Sequence, residues 1–408
     1  MPMRTDYQSA ATTLAAPTVT KSGKKRLAVF LDGTWNTVSD NTNVWRLRSL
    51  CSSTSADGAT QVTYYDVGVN GFLGGMLGKG LNDNVADAYK WLIDHYDCGD
   101  EIFIFGFSRG AFTARSLAGL ISKFGLLKPG APLSVNQLYG RYRRADDRTI
   151  WKLLEARDNG TLGECTLEEQ WMLKYSQAIP IKLVGVWDTV GAVGIPAFRI
   201  EGISRSTFGF LHTGLRLPIE NGFHAVAVDE HRRAFSPTLW TTRRPNDPTA
   251  VVAAPRPITS VEQRWFVGAH GNVGGGCESD LLAQVPLKWM ANKSSFHGLT
   301  FRSNVEIDGD VIKAPISDSY SDFMYGSYAK CSSRHHRPIG EAPRLLDDGT
   351  HSNVNETIDA TIFQRWRDVP QYRPPNLVRW AKQHGVNVGD LTTSVKADDP
   401  TTIIADQG

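Results

Sequence analysis

Ser108 stands in the pentad Gly106-Phe107-Ser108-Arg109-Gly110, which satisfies G-x-S-x-G. The residues before it, "EIFIF", read as a buried strand, and those after it, "AFTARSLAGLISKF", as a helix. A serine in a tight strand-to-helix turn is lifted above the sheet, and flanking glycines let the turn close and the helix approach the strand. That context suits a nucleophile; the competing reading is a structural or phosphate-binding turn. A hydroxyl needs a base to take its proton, and the base needs a group to orient it. Asp188 closes the apolar run "IKLVGVWD", and His270 follows "RWFVGA" at the start of a Gly-rich loop. Both occupy the place where a partner of Ser108 would be carried, after a later strand. For Asp188 the alternative is a helix-cap or turn role, and for His270 a structural histidine.

Other histidines compete for the base. His224 and His231 lie in "FHAVAVDEHRRAF", which reads as a helix ending in a salt-bridge network. His351, in "DGTHSNVNETID", occupies a late loop and is topologically allowed. The oxyanion of an acyl-transfer intermediate needs amide donors. One is the N–H of Arg109, the residue after the nucleophile, and another follows an earlier strand, where "RLAVFLDGTWN" offers Gly33 and Thr34. Asp32 is expected to hold that loop by an Asx-type turn, and Asp32, Trp35 and Phe107 to line the substrate. The same stretch is not an aspartyl-phosphate motif, since Phe30 stands where D-x-D-G-T has its nucleophile. "GGMLGKGLN" is not a phosphate loop, because Leu73 replaces its first glycine and Gly80 its metal-binding hydroxyl. His335 and His336 lack nearby residues with ligand spacing, and no metal or other cofactor is expected.

To carry these groups the chain must supply strands and helices in alternation. Continuous apolar runs at Arg26–Leu31, Gln61–Asp66, Glu101–Gly106, Ile181–Trp187 and Gln263–Ala269 suggest strands buried on both faces, as in a parallel sheet. Helical patterns at Asn82–Tyr96 and Ala111–Phe124 lie between them, predicting an α/β-hydrolase-like fold, a mostly parallel sheet with helices on both faces. We expect a flexible lead over 1–25, a hydrolase domain over 26–380 and a C-terminal tail over 381–408. Within the domain, the charged helical stretch 129–180 reads as a cap insertion over the catalytic face, and Pro196–Pro218 as a pocket-lining loop. "YRPPNLVRWAKQHG" reads as a final packed helix, with an exposed end beyond it.

Composition narrows the setting. The 408 residues are 41% hydrophobic and carry a formal net charge of +2, from 44 basic and 42 acidic side chains. Such a balance creates no field to recruit nucleic acid or an anionic membrane. Five scattered cysteines form no disulfide framework or zinc motif, which fits a reducing compartment. No apolar run approaches a membrane span or a secretory signal core. A cytoplasmic protein, or one exported without a cleavable signal, is expected. Oligomeric state is not legible.

The ordered motifs "FLDGTWN", "GFSRGAFTAR", "GVWDTVGAVG", "HAVAVDEHRRAF", "GAHGNVGGG" and "YRPPNL" resemble a large α/β-hydrolase family that includes the catalytic domain of type VI secretion phospholipase effectors. The resemblance spans about Arg26 to Leu377. It implies ester hydrolysis by Ser108 with Asp188 and His270, a small-molecule ester or lipid substrate and phospholipase-type activity. Relative to that family, Gly271-Asn272 replaces a usual Ser-Asp and Asp359 takes the place of a late histidine; the long C-terminal membrane-associating module of the secreted effectors is not expected here.

The leading reading is a serine hydrolase of carboxylic esters. A basic cluster at Arg141, Arg143 and Arg144, with Arg109, would favour an anionic substrate, or would simply face solvent. Two other readings stay open: a catalytically silent binding protein, motivated by Gly271-Asn272 and Asp359, and a metal-dependent phosphoesterase using Asp32, Asp188 and His270.

Overall fold

The structure, a computed structural model, describes residues 23–33, 38–68, 77–142, 148–190, 218–244, 246, 256–277, 280–322, 327–346 and 349–405. Thr34, Trp35, Arg143, Arg144, the loop 191–217 and residues 1–22 of the expected lead lie outside them.

Among the described residues eight strands build the central sheet: β1 (Lys25–Leu31), β2 (Thr60–Asp66), β3 (Glu101–Phe107), β4 (Ile181–Trp187), β5 (Ile219–Ala227), β6 (Val261–Phe266), β7 (Glu356–Ile358) and β8 (Val395–Lys396). Their order is β8-β7-β6-β5-β4-β3-β1-β2, parallel throughout except for the antiparallel pair β7–β8. Side chains alternate between faces, which is why the strands read as unbroken apolar runs. Leu27, Val29 and Leu31 join a core with helices α2 (Leu77–His95) and α3 (Arg109–Phe124). Ala28 and Phe30 point the other way, into a core shared with α1 (Asn43–Leu50) and α8 (Gln284–Phe296). A third cluster joins Val226 and Trp265 to α9 (Ala360–Asp368) and α10 (Pro375–His384).

Three sequence expectations are revised. The segment with His224 is strand β5, because hydrogen bonding between β4 and β6 takes an apolar stretch that periodicity alone cannot tell from a buried helix. Beyond α10 the chain is not an exposed end: Val395 and Ala397 are buried, and the Ala397 N–H bonds the Glu356 carbonyl. The insertion after α3 forms α4 (Val135–Tyr142), α5 (Ile150–Asp158) and α6 (Leu167–Tyr175). Among the described residues it packs on α2 and α3, in one core with Tyr89 and Leu92 of α2, and several of its contacts fall on the C-terminal end of α3. There the Trp151 indole donates to the Ser122 carbonyl, Lys123 lies over Tyr142 and Arg141 over Phe124.

The N-terminal end of α3 presses against the ends of β1 and β3. A Cβ on Gly110 would run into the carbonyl oxygens of Leu31 and Asp32, and one on Gly106 into the backbone of Gly110. These neighbours are backbone atoms that cannot swing aside. Gly110→Ala should therefore cost about 3 kcal/mol or more. The expected result is a clear fall in the denaturation midpoint or loss of soluble protein; an unchanged midpoint would contradict the packing described.

Candidate active site

Three strand ends converge at one edge of the sheet. Phe107 of β3 pairs with Trp187 of β4, and Trp187 with Ala225 of β5, so the residues that follow β3 and β4 emerge side by side. Ser108 donates its N–H to the Trp187 carbonyl at 3.1 Å, and Asp188 donates its own to Ala225 at 2.7 Å. Both sit at positive φ, +57° for Ser108 and +37° for Asp188, a strained choice for non-glycine residues. The close approach of α3, permitted by Gly106 and Gly110, holds Ser108 there.

His270 opens the short helix α7 (His270–Gly274) after β6 and reaches back across the end of β5. Its Nδ1 lies 2.5 Å from Asp188 Oδ2 and its Nε2 2.8 Å from Ser108 Oγ. An ionised carboxylate only accepts, so Nδ1 carries the proton and Nε2 offers its lone pair to the serine hydroxyl. Ser108, Asp188 and His270 are all buried. The Phe107 and Phe235 rings lie 4.7 and 5.1 Å from the imidazole.

The support around this trio comes from the segment that follows β5. Glu230 accepts the His270 N–H at 3.2 Å and the Ser319 hydroxyl at 2.8 Å. Burial opposes its charge, yet the hydrogen bonds and charge of Arg232 outweigh that and hold its carboxyl at about 2. Asp229 accepts the Gly268 N–H at 2.8 Å and the Tyr372 hydroxyl at 3.1 Å. Asp188 is fully buried, which alone would raise its carboxyl. The charge of Arg337 and the hydrogen bonds from His270 and Arg337 reverse that and keep it well below the usual carboxylate range. Arg337 went unnoticed in the sequence, where "SSRHHRPIG" reads as a basic surface segment with nothing to mark one arginine as buried.

The loop after β1 is held by Asp32, whose Oδ1 accepts the Gly33 N–H at 2.8 Å. Its Oδ2 accepts hydroxyls from Thr42 at 2.5 Å and Tyr65 at 3.0 Å. Gly33 thus gives its amide to Asp32, a correction to its expected role as an oxyanion donor. Arg109 opens α3, and the amides of a first helical turn point out of the helix toward its N-terminal end. Burial lowers its guanidinium to about 10, which leaves it charged at neutral pH.

The remaining candidates fall elsewhere. His351 lies on Gly349–Asn353, in a separate three-stranded sheet. Asp359 caps α9, accepting the N–H of Thr361 at 3.0 Å. Asn272 accepts the Ala269 and Ser317 N–H groups at 3.1 and 3.0 Å, and a Cβ on Gly271 would meet the Cys277 sulfur. Arg141 is buried against Glu168 and Glu169, so it does not present its charge to a substrate. His231 and His335 exchange backbone-directed hydrogen bonds. Asp32 and Asp188 each bind separate protein donors. Among the described residues no three His, Cys, Asp or Glu side chains converge as a metal site would require.

A mostly parallel sheet between helical layers, with a serine on a strained turn after β3 and a histidine reaching it from a later strand, defines an α/β-hydrolase. Over residues 25–293 the chain matches the family described as type VI secretion system (T6SS) phospholipase effector, Tle1-like, catalytic domain, and it belongs to that family. An uncharacterised protein of Saccharomyces cerevisiae is 25% identical over 395 residues, covering 86% of this chain and 53% of the relative. The crystal structure of an uncharacterised protein from Pseudomonas aeruginosa aligns with a TM-score of 0.40 at 15% identity, over 76% of this chain and 51% of that one. A Tle1 effector bound to the VgrG spike of the type VI secretion system aligns at 0.31 and 17% identity, over 62% and 51%. The chain thus spans about half the length of these relatives. Among the described residues no helix is long and apolar enough to cross a membrane.

Next to Asp188, His224 Nε2 accepts the Thr189 N–H at 3.1 Å, which puts its proton on Nδ1, toward Gln263 Oε1. Burial, helped by the charge of Arg115, pushes this imidazole down from 6.5 to about 3. Its folded value is depressed, so the unfolded chain takes up the proton first. The stability tied to neutral His224 is complete above pH 6.5 and is lost as pH falls toward about 3. In urea titrations His224→Gln should flatten the decline of the midpoint across that window; an unaltered slope would show that the residue does not titrate as described.

Proposed function

We propose that the protein is a serine hydrolase that cleaves carboxylic esters, with lipid or phospholipid acyl esters as the substrate class. The supporting observation is the His270 imidazole that bridges Ser108 Oγ and Asp188 Oδ2. In this mechanism Nε2 takes the hydroxyl proton as Ser108 Oγ attacks the ester carbonyl, and the imidazolium is stabilised by Asp188. The N–H of Arg109 receives the developing oxyanion, with a second amide from the loop after β1, for which Thr34 is the candidate once Gly33 is given to Asp32. Collapse of the tetrahedral intermediate expels the alcohol, which takes the proton back from Nε2. Water then repeats the sequence on the acyl-serine.

Membership of the phospholipase-effector family supports the lipid class. The charged Arg109 beside the nucleophile is compatible with an anionic headgroup. The catalytically silent alternative rested on Gly271-Asn272 and Asp359. Those positions cap a loop and a helix, and they leave the Ser108–His270 contact untouched.

The test is labelling with a fluorophosphonate together with hydrolysis of esters of graded acyl length and of phospholipid vesicles. Wild-type protein should label once and Ser108→Ala not at all, with kcat reduced about 10⁴-fold or more in the alanine variant. Equal labelling or equal turnover in the two proteins would sink the serine mechanism. Turnover confined to short soluble esters would remove the lipid assignment alone.

A further inference from the structure

We propose that Arg337 is a positioning residue of this site: its buried guanidinium fixes Asp188 as an oriented anion, so that His270 serves as a base at lower pH than an Asp–His pair alone would permit. The inference rests on the serine hydrolase reading above. It comes from a contact between residues 149 positions apart.

Arg337 has no exposed surface. Its Nη1 donates to Asp188 Oδ1 at 2.6 Å and to the Ala227 carbonyl at 2.7 Å. Its Nη2 donates to Asp188 Oδ2 at 3.0 Å and to the Phe235 carbonyl. The guanidinium fork therefore grips both carboxylate oxygens, and two main-chain carbonyls fix the fork. The Ala227 N–H adds a bond to Oδ1 at 3.0 Å, and His270 Nδ1 completes Oδ2. Every strong acceptor direction of the carboxylate is filled, so it has one orientation, with Oδ2 toward the imidazole.

The charge consequence follows from counting. With Arg337 in place, Asp188 and a neutral His270 form a group of zero net charge. Without it the pair would carry one buried negative charge, and a proton would stay on the pair to higher pH. The other charged groups packed around His270 do not cancel Arg337. From the end of β5, Glu230 is neutralised by Arg232, and Asp229 is turned to Gly268 and Tyr372. His224, behind Thr189, stays neutral because burial lowers it to about 3. His231, from the segment after β5, lies against His335 and His336 of the Arg337 segment, its ring 4.9 Å from that of His336. Arg109 opens α3 directly after Ser108 and keeps its charge in every variant compared.

The experiment compares pH profiles of kcat/KM on a soluble p-nitrophenyl ester for wild type, Arg337→Gln and Arg337→Lys. The glutamine variant keeps hydrogen-bonding capacity without the charge. Its acid limb should move up by about one pH unit, with activity at pH 7 down about 10- to 100-fold. The lysine variant keeps the charge without the fork. Its acid limb should stay within about 0.3 unit of wild type while kcat falls about tenfold. A purely structural arginine would lower activity in both without moving either limb, and that outcome overturns the proposal, as does a lysine limb displaced as far as the glutamine limb. Should Arg337→Gln fail to fold, Arg337→Met takes its place as the uncharged variant, with the same upward movement of the acid limb expected and an unmoved limb overturning the proposal. Wild-type activity indifferent to Ser108→Ala would remove the underlying reading and this inference with it. Ser108-dependent activity with an unmoved glutamine limb would remove this inference only.

Discussion

The arrangement depends on one constraint, the parallel register of neighbouring strands closed against the N-terminal end of α3. Because Phe107, Trp187 and Ala225 lie at one level, the residues after β3 and β4 leave the sheet together, and the segment after β6 returns a histidine to Asp188 across β5 and to Ser108 across β5 and β4. Gly106 and Gly110 let α3 reach the strand ends, and that proximity forces Ser108 to φ +57°. The strain is local, while the apolar faces on both sides of the sheet supply the stability that sustains it.

Around that constraint the polar groups form nested layers. Asp188 orients His270, Arg337 holds Asp188, and main-chain carbonyls of Ala227 and Phe235 hold Arg337. Glu230 and Asp229 perform a parallel task for the loop that carries His270, tying the backbone of His270 and Gly268 to the end of β5. A buried charge set of this kind is tolerable because each member has a partner of opposite sign or a set of fixed dipoles. The family departures at Gly271-Asn272 fall within the same loop, where an amide and a small residue preserve the turn beneath Cys277 and beside Ser317.

What could be read from residues alone followed from short-range chemistry. Ser108, Asp188 and His270 each sit directly after an apolar run and before glycines, so their positions on strand ends were legible without a fold. Five of the strands were legible for the same reason. Strand β5 was not, since a stretch buried on both faces has no periodicity to separate it from a helix, and pairing with β4 and β6 decided the matter. Strand β8 is two residues long, too short to leave a pattern. Arg337 gave no signal because its partner lies far away in the chain. The amide of Gly33 was misassigned because the carboxylate next to it competes for it at a distance only coordinates reveal.

The ring of Phe107 has a further effect. It fills the space that a side chain on Gly274 would occupy, while its other neighbour is the imidazole of His270, which also meets the edge of Phe235. The imidazole therefore surrenders its rotational freedom when the protein folds. In the hydrolase proposed above, an entropy loss that a looser site would incur at every turnover is thereby moved into the folding reaction, and the barrier to proton transfer need not include finding the right rotamer.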